Sequence, residues 1–449
     1  MCAEAVGARR FLDAFVKEFP EPLGPDDPLP VTPTGTGARV SLEELHGESL
    51  ELGLQLLHAR NAPAPLSSAL SHAALLELLK SDLTPYQPAP DQEQDGLLLF
   101  SVRLQRCFFN KLREVVFAWA QRSPAPSPGP SRPLWTSAHA IRNTRRKMED
   151  RHVTLSEFSP LFGLQDGVHR GYFAVFDGHG GVDAAAYAAT HLHVALGNHD
   201  DLKRDPGGAL KRAFKHTDDM FRQKAQRERL RSGSTGVAVL LDGDWLHVGW
   251  LGDSQVLLVR QGEPVSLMEP HKPEREDEKR RIEDLGGCIA FMGCWRVNGT
   301  YAVSRAIGDF DQKPYVSSDA DCASVRLCGD EDLVLLACDG FFDAVRPGEV
   351  PGLVQEALRE GAGPGPGAGP GPGPGAGPGA GPGPGAGPGA GVAQYLVGRA
   401  RSAGSSDNIT VVTVFLRDPA LLLQEAPPPP PPCPAQDGAP PDPTAAEQH

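Results

Sequence analysis

The chain has 449 residues, hydrophobic residues make up 40% of it, and its formal net charge is −14. That length suits one large domain or two to three small ones, and the acidity disfavours general nucleic-acid binding. The eight cysteines include no Cys-x-x-Cys pair, which argues against a zinc site or disulfide framework and for the reducing cytosol. No secretion signal and no apolar run long enough to span a bilayer stand in the sequence, so a cytoplasmic protein without membrane insertion is expected.

In chain order, residues 1–133 read as a helical N-terminal region with a regulatory or partner-binding role. Phe11, Leu12, Phe15, Val16 and Phe19 follow a helical period, as do Leu70, Ala73, Leu76 and Leu79, and then Leu104, Cys107, Phe108, Leu112, Val115 and Trp119. Arg103, Arg106, Lys111, Arg113 and Arg122 surround the last apolar face. That is the pattern of a calmodulin target, although a core or partner helix is the commoner use. This region is expected to select partner complexes and do no chemistry, so that a chain starting near Ser131 keeps activity on peptides. Residues 134–418 alternate strand and helix patterns and read as the catalytic domain. Val237–Leu241 and Trp245–Trp250 form a hairpin about Asp242-Gly243, a favoured tight-turn pair. Residues 361–391 are almost wholly Gly, Pro and Ala; they cannot bury a core and are expected to be a disordered insert inside that domain. Residues 419–449 read as a disordered Pro-rich tail.

Four acidic clusters punctuate the catalytic part: Met148-Glu149-Asp150, Asp177-Gly178-His179-Gly180-Gly181, Cys338-Asp339-Gly340 and Ser406-Asp407-Asn408. Asp177 ends the strand pattern Tyr172–Phe176, Asp339 follows Leu333–Ala337, and Asp407 precedes Ile409–Phe415. Neighbouring antiparallel strands end and begin on a shared rim, so these carboxylates can meet, and hard divalent cations need such oxygen clusters. Each cluster alone also has a plain reading: Asp177 as a helix cap, Asp339-Gly340 as a turn, Asp407-Asn408 as an Asx-turn, Glu149-Asp150 as a solvated charged edge. Their joint order favours a metal-dependent hydrolase. Arg145 lies on the same face of an extended segment as Glu149 and suits two phosphate oxygens. His179 reads as a general acid, a zinc ligand or a surface residue, and further close His or Cys ligands for zinc are absent. Asp253 and Asp309 each read equally as a metal ligand or a turn residue. A thiol-phosphatase Cys-x5-Arg pattern, a Walker A loop and a kinase glycine loop are all missing.

These motifs, together with Ser232-Gly233-Ser234-Thr235, Gly252-Asp253-Ser254, His271-Lys272-Pro273 and the run Ala302–Asp309, resemble the type 2C, metal-dependent Ser/Thr protein phosphatases over about Thr136 to Arg417. His139–Lys147 and Trp295–Thr300 are similar to the branch that acts on calcium/calmodulin-dependent protein kinases. The resemblance implies an α+β fold: a four-layer α-β-β-α sandwich with two central antiparallel sheets. It implies two Mg²⁺ or Mn²⁺ ions per active site, with Asp177 bridging, Asp339 and Asp407 completing one shell, and the Gly178 carbonyl on the other ion. Glu149 and Asp150 follow as outer or water-mediated ligands, and Asp253 with Asp339 as holding a third, weaker ion. The implied reaction is attack of a bridging hydroxide on phosphoserine or phosphothreonine, with Arg145 on the phosphate and His179 protonating the leaving oxygen. The implied substrates are calcium/calmodulin-dependent kinase II and PAK-group kinases, and the implied partners the PIX exchange factors. A nucleotide hydrolase lacks any base- or ribose-binding motif here, and a scaffold with an inactive phosphatase domain has no need of the full acidic set.

Overall fold

The computed structural model describes residues 3–32, 37–87, 98–122, 134–361 and 389–424. The N-terminal part runs α1 (Ala3–Glu18), β1 (Arg39–Ser41), α2 (Leu42–His58), α3 (Ala64–Leu79), β2 (Leu98–Phe100) and α4 (Ser101–Gln121). The remainder runs β3 (Trp135–Ile141), β4 (Arg151–Leu155), α5 (Phe158–Leu161), β5 (Arg170–Phe176), β6 (Gly178–His179), α6 (Asp183–Gly197), α7 (Pro206–Glu228), β7 (Gly233–Ser234), β8 (Gly236–Asp242), β9 (Trp245–Leu251), β10 (Gln255–Arg260) and β11 (Glu263–Ser266). It continues through α8 (Glu276–Asp284), β12 (Ile289–Phe291), β13 (Trp295–Val297), β14 (Ile307–Gly308), β15 (Asp321–Arg326), β16 (Glu331–Ala337), α9 (Asp339–Phe342), α10 (Val350–Gly361), α11 (Val392–Ser402), β17 (Ile409–Phe415) and α12 (Pro419–Gln424).

Two five-stranded antiparallel sheets, ordered β11-β10-β16-β17-β3 and β15-β9-β8-β5-β4, stack on each other. The period-2 alternation of each strand decides what lies where. Phe173 and Val175 of β5 point between the sheets and meet Val334, Leu336, Val412 and Val414. Tyr172, Ala174 and Phe176 point outward under α6 and α7. On the opposite outer face Leu333, Leu335, Val411 and Phe415 pack under α9, α10 and α11. Both faces of β5, β16 and β17 are covered, which is why these strands read as unbroken apolar runs. The four-layer α+β sandwich inferred from sequence is the architecture observed.

The N-terminal helices join this core. Phe11, Phe15, Leu50, Leu54, Phe108 and Leu112 belong to one apolar cluster with Leu192, Phe214 and Tyr172 of the sandwich side. Sequence periodicity located α1, α3 and α4 but passed over α2. Its start carries a capping box: Ser41 Oγ accepts from Glu44 N at 3.2 Å, and Glu44 Oε2 accepts from Ser41 N at 2.7 Å. Within α3 the expected phase was wrong. Leu76 and Leu79 are exposed, and Leu66, Leu70, Ala74, Leu75 and Leu78 form the buried face, because the helix is apolar enough all round to blur its period.

The bounds of the two low-complexity segments also shift. Gly361 ends α10, and residues 389–391 form the turn into α11; the rest of the repeat, 362–388, lies outside the described residues. The tail begins later than residue 419, because Pro419–Gln424 is helical and Leu422 is buried against the α10 side. Three consecutive leucines, Leu421–Leu423, were the signal for it. No helix among the described residues is long and apolar enough to cross a membrane.

Candidate active site

Strand register builds one acidic rim. β4 pairs with β5 so that Arg151 opposes Phe176, which puts Asp150 beside Asp177. β16 pairs with β17 so that Ala337 opposes Val411, which puts Cys338 and Asp339 beside Asp407 and Asn408. Ligand atoms of Asp150, Asp177 and Cys338 lie within 4.8 Å of one another. The Asp177 and Asp339 carboxyls lie close enough for each to act on the other's charge. Gly340 explains part of the spacing. A Cβ there would stand 2.1 Å from the Asn408 carbonyl oxygen, so only glycine lets the two acidic turns close together.

Asn408 staples the rim. Its Oδ1 accepts from Glu149 N at 2.8 Å, and its Nδ2 donates to the carbonyls of Arg142 at 2.9 Å and Lys147 at 3.0 Å. One buried amide thus fixes the loop that carries Arg145, Glu149 and Asp150. Thr410 Oγ1 donates to Asp150 Oδ2 at 2.6 Å. Gly178 pairs with Ser234 across β6–β7, and both Thr235 N and Ser234 Oγ donate to the Asp177 carbonyl, at 2.9 and 3.1 Å.

The electrostatics are lopsided. Burial pushes the Asp177 carboxyl well above its usual range, and Asp339, Asp150 and Asp253 push it further. Asp150 rises to about 7 through burial, with Asp339 and Asp407 adding to it and the Thr410 hydrogen bond opposing. Asp253 rises to about 7 through burial, Asp339 and Asp343, eased by Lys272 and by a hydrogen bond from its own backbone N–H. Asp339 rises through burial and through Asp407 and Asp343. Buried carboxylates that repel one another in this way fit a divalent cation, which supplies the missing positive charge. The donor set is almost all oxygen, as Mg²⁺ and Mn²⁺ require.

The remaining predicted residues sit around this cluster. Arg145 pairs with Asp407 at 2.5 Å and keeps its side chain 60% exposed at the rim. His179 hydrogen-bonds through Nε2 to Asp309 Oδ2 at 2.7 Å. Burial opposes charge on the imidazole, but Asp309 outweighs it, so its pKa is raised. The Tyr301 ring lies 6.0 Å from the His179 ring.

Sequence reasoning missed several parts. Asp309 carried two equal readings and turns out to hold His179. Cys338 carries no sequence signal of its own, yet its sulfur accepts from Thr410 N at 3.2 Å inside the acidic cluster. Asp343, one helical turn after Asp339, raises both Asp253 and Asp339; its i, i+4 spacing is the signal in the sequence.

A buried carboxylate cluster with an exposed arginine and a carboxylate-held histidine, on the rim of an antiparallel α-β-β-α sandwich, defines a metal-dependent phosphoester hydrolase. Comparison with known proteins narrows it. The family profile described as Protein phosphatase 2C matches residues 136–409. The chain is 52% identical over 423 residues to protein phosphatase 1F of Rattus norvegicus, covering 92% of this chain and 88% of that one. It is 48% identical over 393 residues to protein phosphatase 1E of Homo sapiens, covering 87% of this chain and 49% of the relative. A solved structure described as that of a C. elegans sex determining protein shares the fold, with a TM-score of 0.67 at 20% identity, covering 94% of this chain and 97% of that one. The chain belongs to the protein phosphatase 2C family and is a metal-dependent protein serine/threonine phosphatase.

Proposed function

We propose that the rim holds two Mg²⁺ or Mn²⁺ ions between Asp177, Asp339, Asp407 and the Gly178 carbonyl, with Glu149 and Asp150 as outer partners. Asp253, with Asp339, takes a third and weaker ion. Ions bound there supply Lewis acidity, an acidified water and charge for the phosphoryl oxygens. The observation behind this reading is the mutual upward push on Asp150, Asp177, Asp253 and Asp339.

The side chains then divide the work. Arg145, exposed at the rim, forks onto two phosphate oxygens and exchanges its Asp407 contact for them. Asn408 holds the Arg145 loop so that this fork meets the phosphate in a fixed orientation. His179 gives its proton to the departing Ser or Thr oxygen. With Nε2 committed to Asp309, Nδ1 is the ring nitrogen left to give that proton. Asp309 sets the ring orientation and keeps the imidazole protonated to higher pH.

On the same reading the substrates are calcium/calmodulin-dependent kinase II and PAK-group kinases, the partners are PIX exchange factors, and the site of action is the cytoplasm. The runs His139–Lys147 and Trp295–Thr300 support this branch. The test is dephosphorylation of autophosphorylated kinase II by the full chain with Mn²⁺ and with excess chelator. Release of phosphate only with metal is expected; activity on a short phosphothreonine peptide but none on the kinases would overturn the substrate assignment and leave the reaction standing.

A further inference from the structure

Asp309 reaches His179 across an intervening strand. β14 pairs with β7 and β7 with β6, in a register that sets Gly308 opposite Gly233 and Gly233 opposite His179. Neighbouring strands lie about 4.8 Å apart, so the Asp309 carboxylate has to pass over Gly233 to meet the imidazole. A Cβ on Gly233 would stand 2.3 Å from Asp309 Oδ1 and 2.4 Å from Oδ2, so the carboxylate fills the space that the glycine leaves. Gly308 is as tightly placed: its φ is 81°, and a Cβ there would stand 2.3 Å from the Ser232 carbonyl oxygen. The His179–Asp309 bond therefore depends on where the Gly308–Asp309 backbone is held.

One face of α7 does the holding. Asp218, Phe221 and Arg222 fall at helical i, i+3 and i+4 positions, and α7 packs on β14. Asp218 is fully buried, and its Oδ1 accepts from Gly308 N at 2.8 Å. The same oxygen lies 3.5 Å from Lys313 Nζ, which in turn donates to the Ala306 carbonyl at 2.7 Å. A single buried ion pair thus grips β14 by an N–H and by a carbonyl two residues before it. On the far side of Asp309, the Phe310 ring lies 5.7 Å from the Phe221 ring and 5.2 Å from the Arg222 guanidinium. A buried ion pair is a weak source of stability, because desolvation offsets most of its attraction. What this one does is fix two backbone groups beside the residue that orients the histidine.

We propose that Asp218 and Lys313 are positioning residues for the proton donor: they set the Gly308–Asp309 backbone, and Asp309 sets the His179 ring. This rests on the reading of His179 as the acid. The polar contacts of the pair run to β14 and to each other, so its effect falls on delivery of the proton to the leaving Ser or Thr oxygen. Substrates whose leaving group needs that proton feel it, and substrates whose leaving group departs unprotonated do not.

The experiment compares kcat on a phosphoserine peptide with kcat on p-nitrophenyl phosphate, both measured on one sample of the full chain with saturating Mn²⁺. The ratio of the two cancels any difference in the amount of folded enzyme, which a merely structural lesion would change. Misplacing a reacting group by about 1 Å can cost about 10²-fold, so Asp218→Ala should lower peptide turnover about tenfold or more and aryl phosphate turnover far less. Asp218→Asn keeps the oxygen that accepts from Gly308 N and should recover most of the ratio. Lys313→Met releases the Ala306 carbonyl and should shift the ratio in the same direction as Asp218→Ala; it carries the test if the alanine variant does not fold. In the His179→Ala background Asp218→Ala should cost nothing more, because the group it positions is gone. Equal losses on both substrates in Asp218→Ala, a deficit in Asp218→Asn as deep as in the alanine variant, or an additive loss in the double variant would each overturn the proposal. His179→Ala alone tests the reading beneath it. If it lowers both substrates equally, the acid role itself fails; if it lowers the peptide selectively while Asp218→Ala does not, only the positioning role fails.

Discussion

His179 and Asp309 share a 2.7 Å hydrogen bond in which the carboxylate is only 1% exposed. Asp309 reaches this position from a left-handed backbone, φ 49°, next to Gly308 at φ 81°. A buried anion on an uncommon backbone conformation, aimed at a histidine beside a metal rim, is an arrangement for tuning a proton.

The first prediction follows from that pair. His179→Ala should lower turnover of a phosphoserine peptide about 10²–10⁴-fold, and of an aryl phosphate far less, since that leaving group needs no proton. Asp309→Asn should act in the same direction and more weakly. Because Asp309 raises the His179 pKa, its loss should also move the alkaline limb of the turnover profile to lower pH. Equal losses on both substrate types in His179→Ala would refute the acid role.

The second concerns charge at the rim. Asp177→Asn and Asp339→Asn each remove one anion with little change in size. Both should abolish turnover and weaken Mn²⁺ binding, yet raise thermal stability in chelator, because they relieve mutual repulsion. Scanning calorimetry with and without Mn²⁺ checks the crossing of the two effects. A folded Asp339→Asn protein with near-parental turnover would contradict the ligand assignment.

The third concerns the Asn408 staple. Asn408→Ala leaves Glu149 N and the Arg142 and Lys147 carbonyls without their partner. The cost should be about 2–4 kcal/mol in chemical denaturation, from about 1 kcal/mol or more per lost bond at a buried site. The Mn²⁺ needed for half-maximal activity should rise as well, since the same loop carries Glu149 and Asp150. Parental stability with intact activity would show that water replaces the amide.

The fourth is a pH effect away from the metal. Glu278 of α8 receives two bonds from Arg305, at 2.7 and 3.1 Å, and two from Arg281, at 2.9 and 3.4 Å. Burial works to raise its pKa, but these hydrogen bonds outweigh it and hold the carboxyl down to about 2. A depressed carboxylate stabilises the fold above its unfolded pKa, and that stability is lost as pH falls through the folded value. Glu278→Gln should therefore cost about 3 kcal/mol near neutrality, with the gap to the parent closing between roughly pH 4.5 and 2. Urea denaturation at stepped pH reads this directly, and a gap independent of pH would sink it.

The sequence made the rim legible because strand ends are strongly marked. Asp177 and Asp339 directly follow runs of β-branched and apolar residues, and two-sided burial makes such runs unambiguous. Asp407 was legible for the same reason from the other side. What it hid was contact between distant elements. Asp309 is more than a hundred residues from His179, and nothing local distinguishes its turn from any other. Asn408 could be read only as an Asx-turn, because its three partners come from a loop near the start of the domain. The α2 helix is hard to read because its buried face mixes leucines with two glutamates, Glu44 and Glu51, and those carboxylates are explained only by Lys224, Arg227 and Thr190 on other helices.

The last prediction revises the expected independence of the N-terminal region. Phe11, Phe15, Leu54, Phe108 and Leu112 share one apolar cluster with Leu192 and Phe214, so removing the first 133 residues strips cover from α6 and α7. It also takes Glu44 from Lys224 and Arg227, which keep Glu228, and Glu51 from Thr190. Each large apolar side chain re-exposed costs about 1.5–3 kcal/mol, and several are involved. A chain starting at Leu134 should therefore unfold at a markedly lower temperature and bind an apolar dye in its native state. Its residual peptide activity should need more Mn²⁺ than the full chain. If that chain matches the full protein in both unfolding temperature and Mn²⁺ requirement, the N-terminal helices are a dispensable attachment and their packing on α6 contributes nothing to the site.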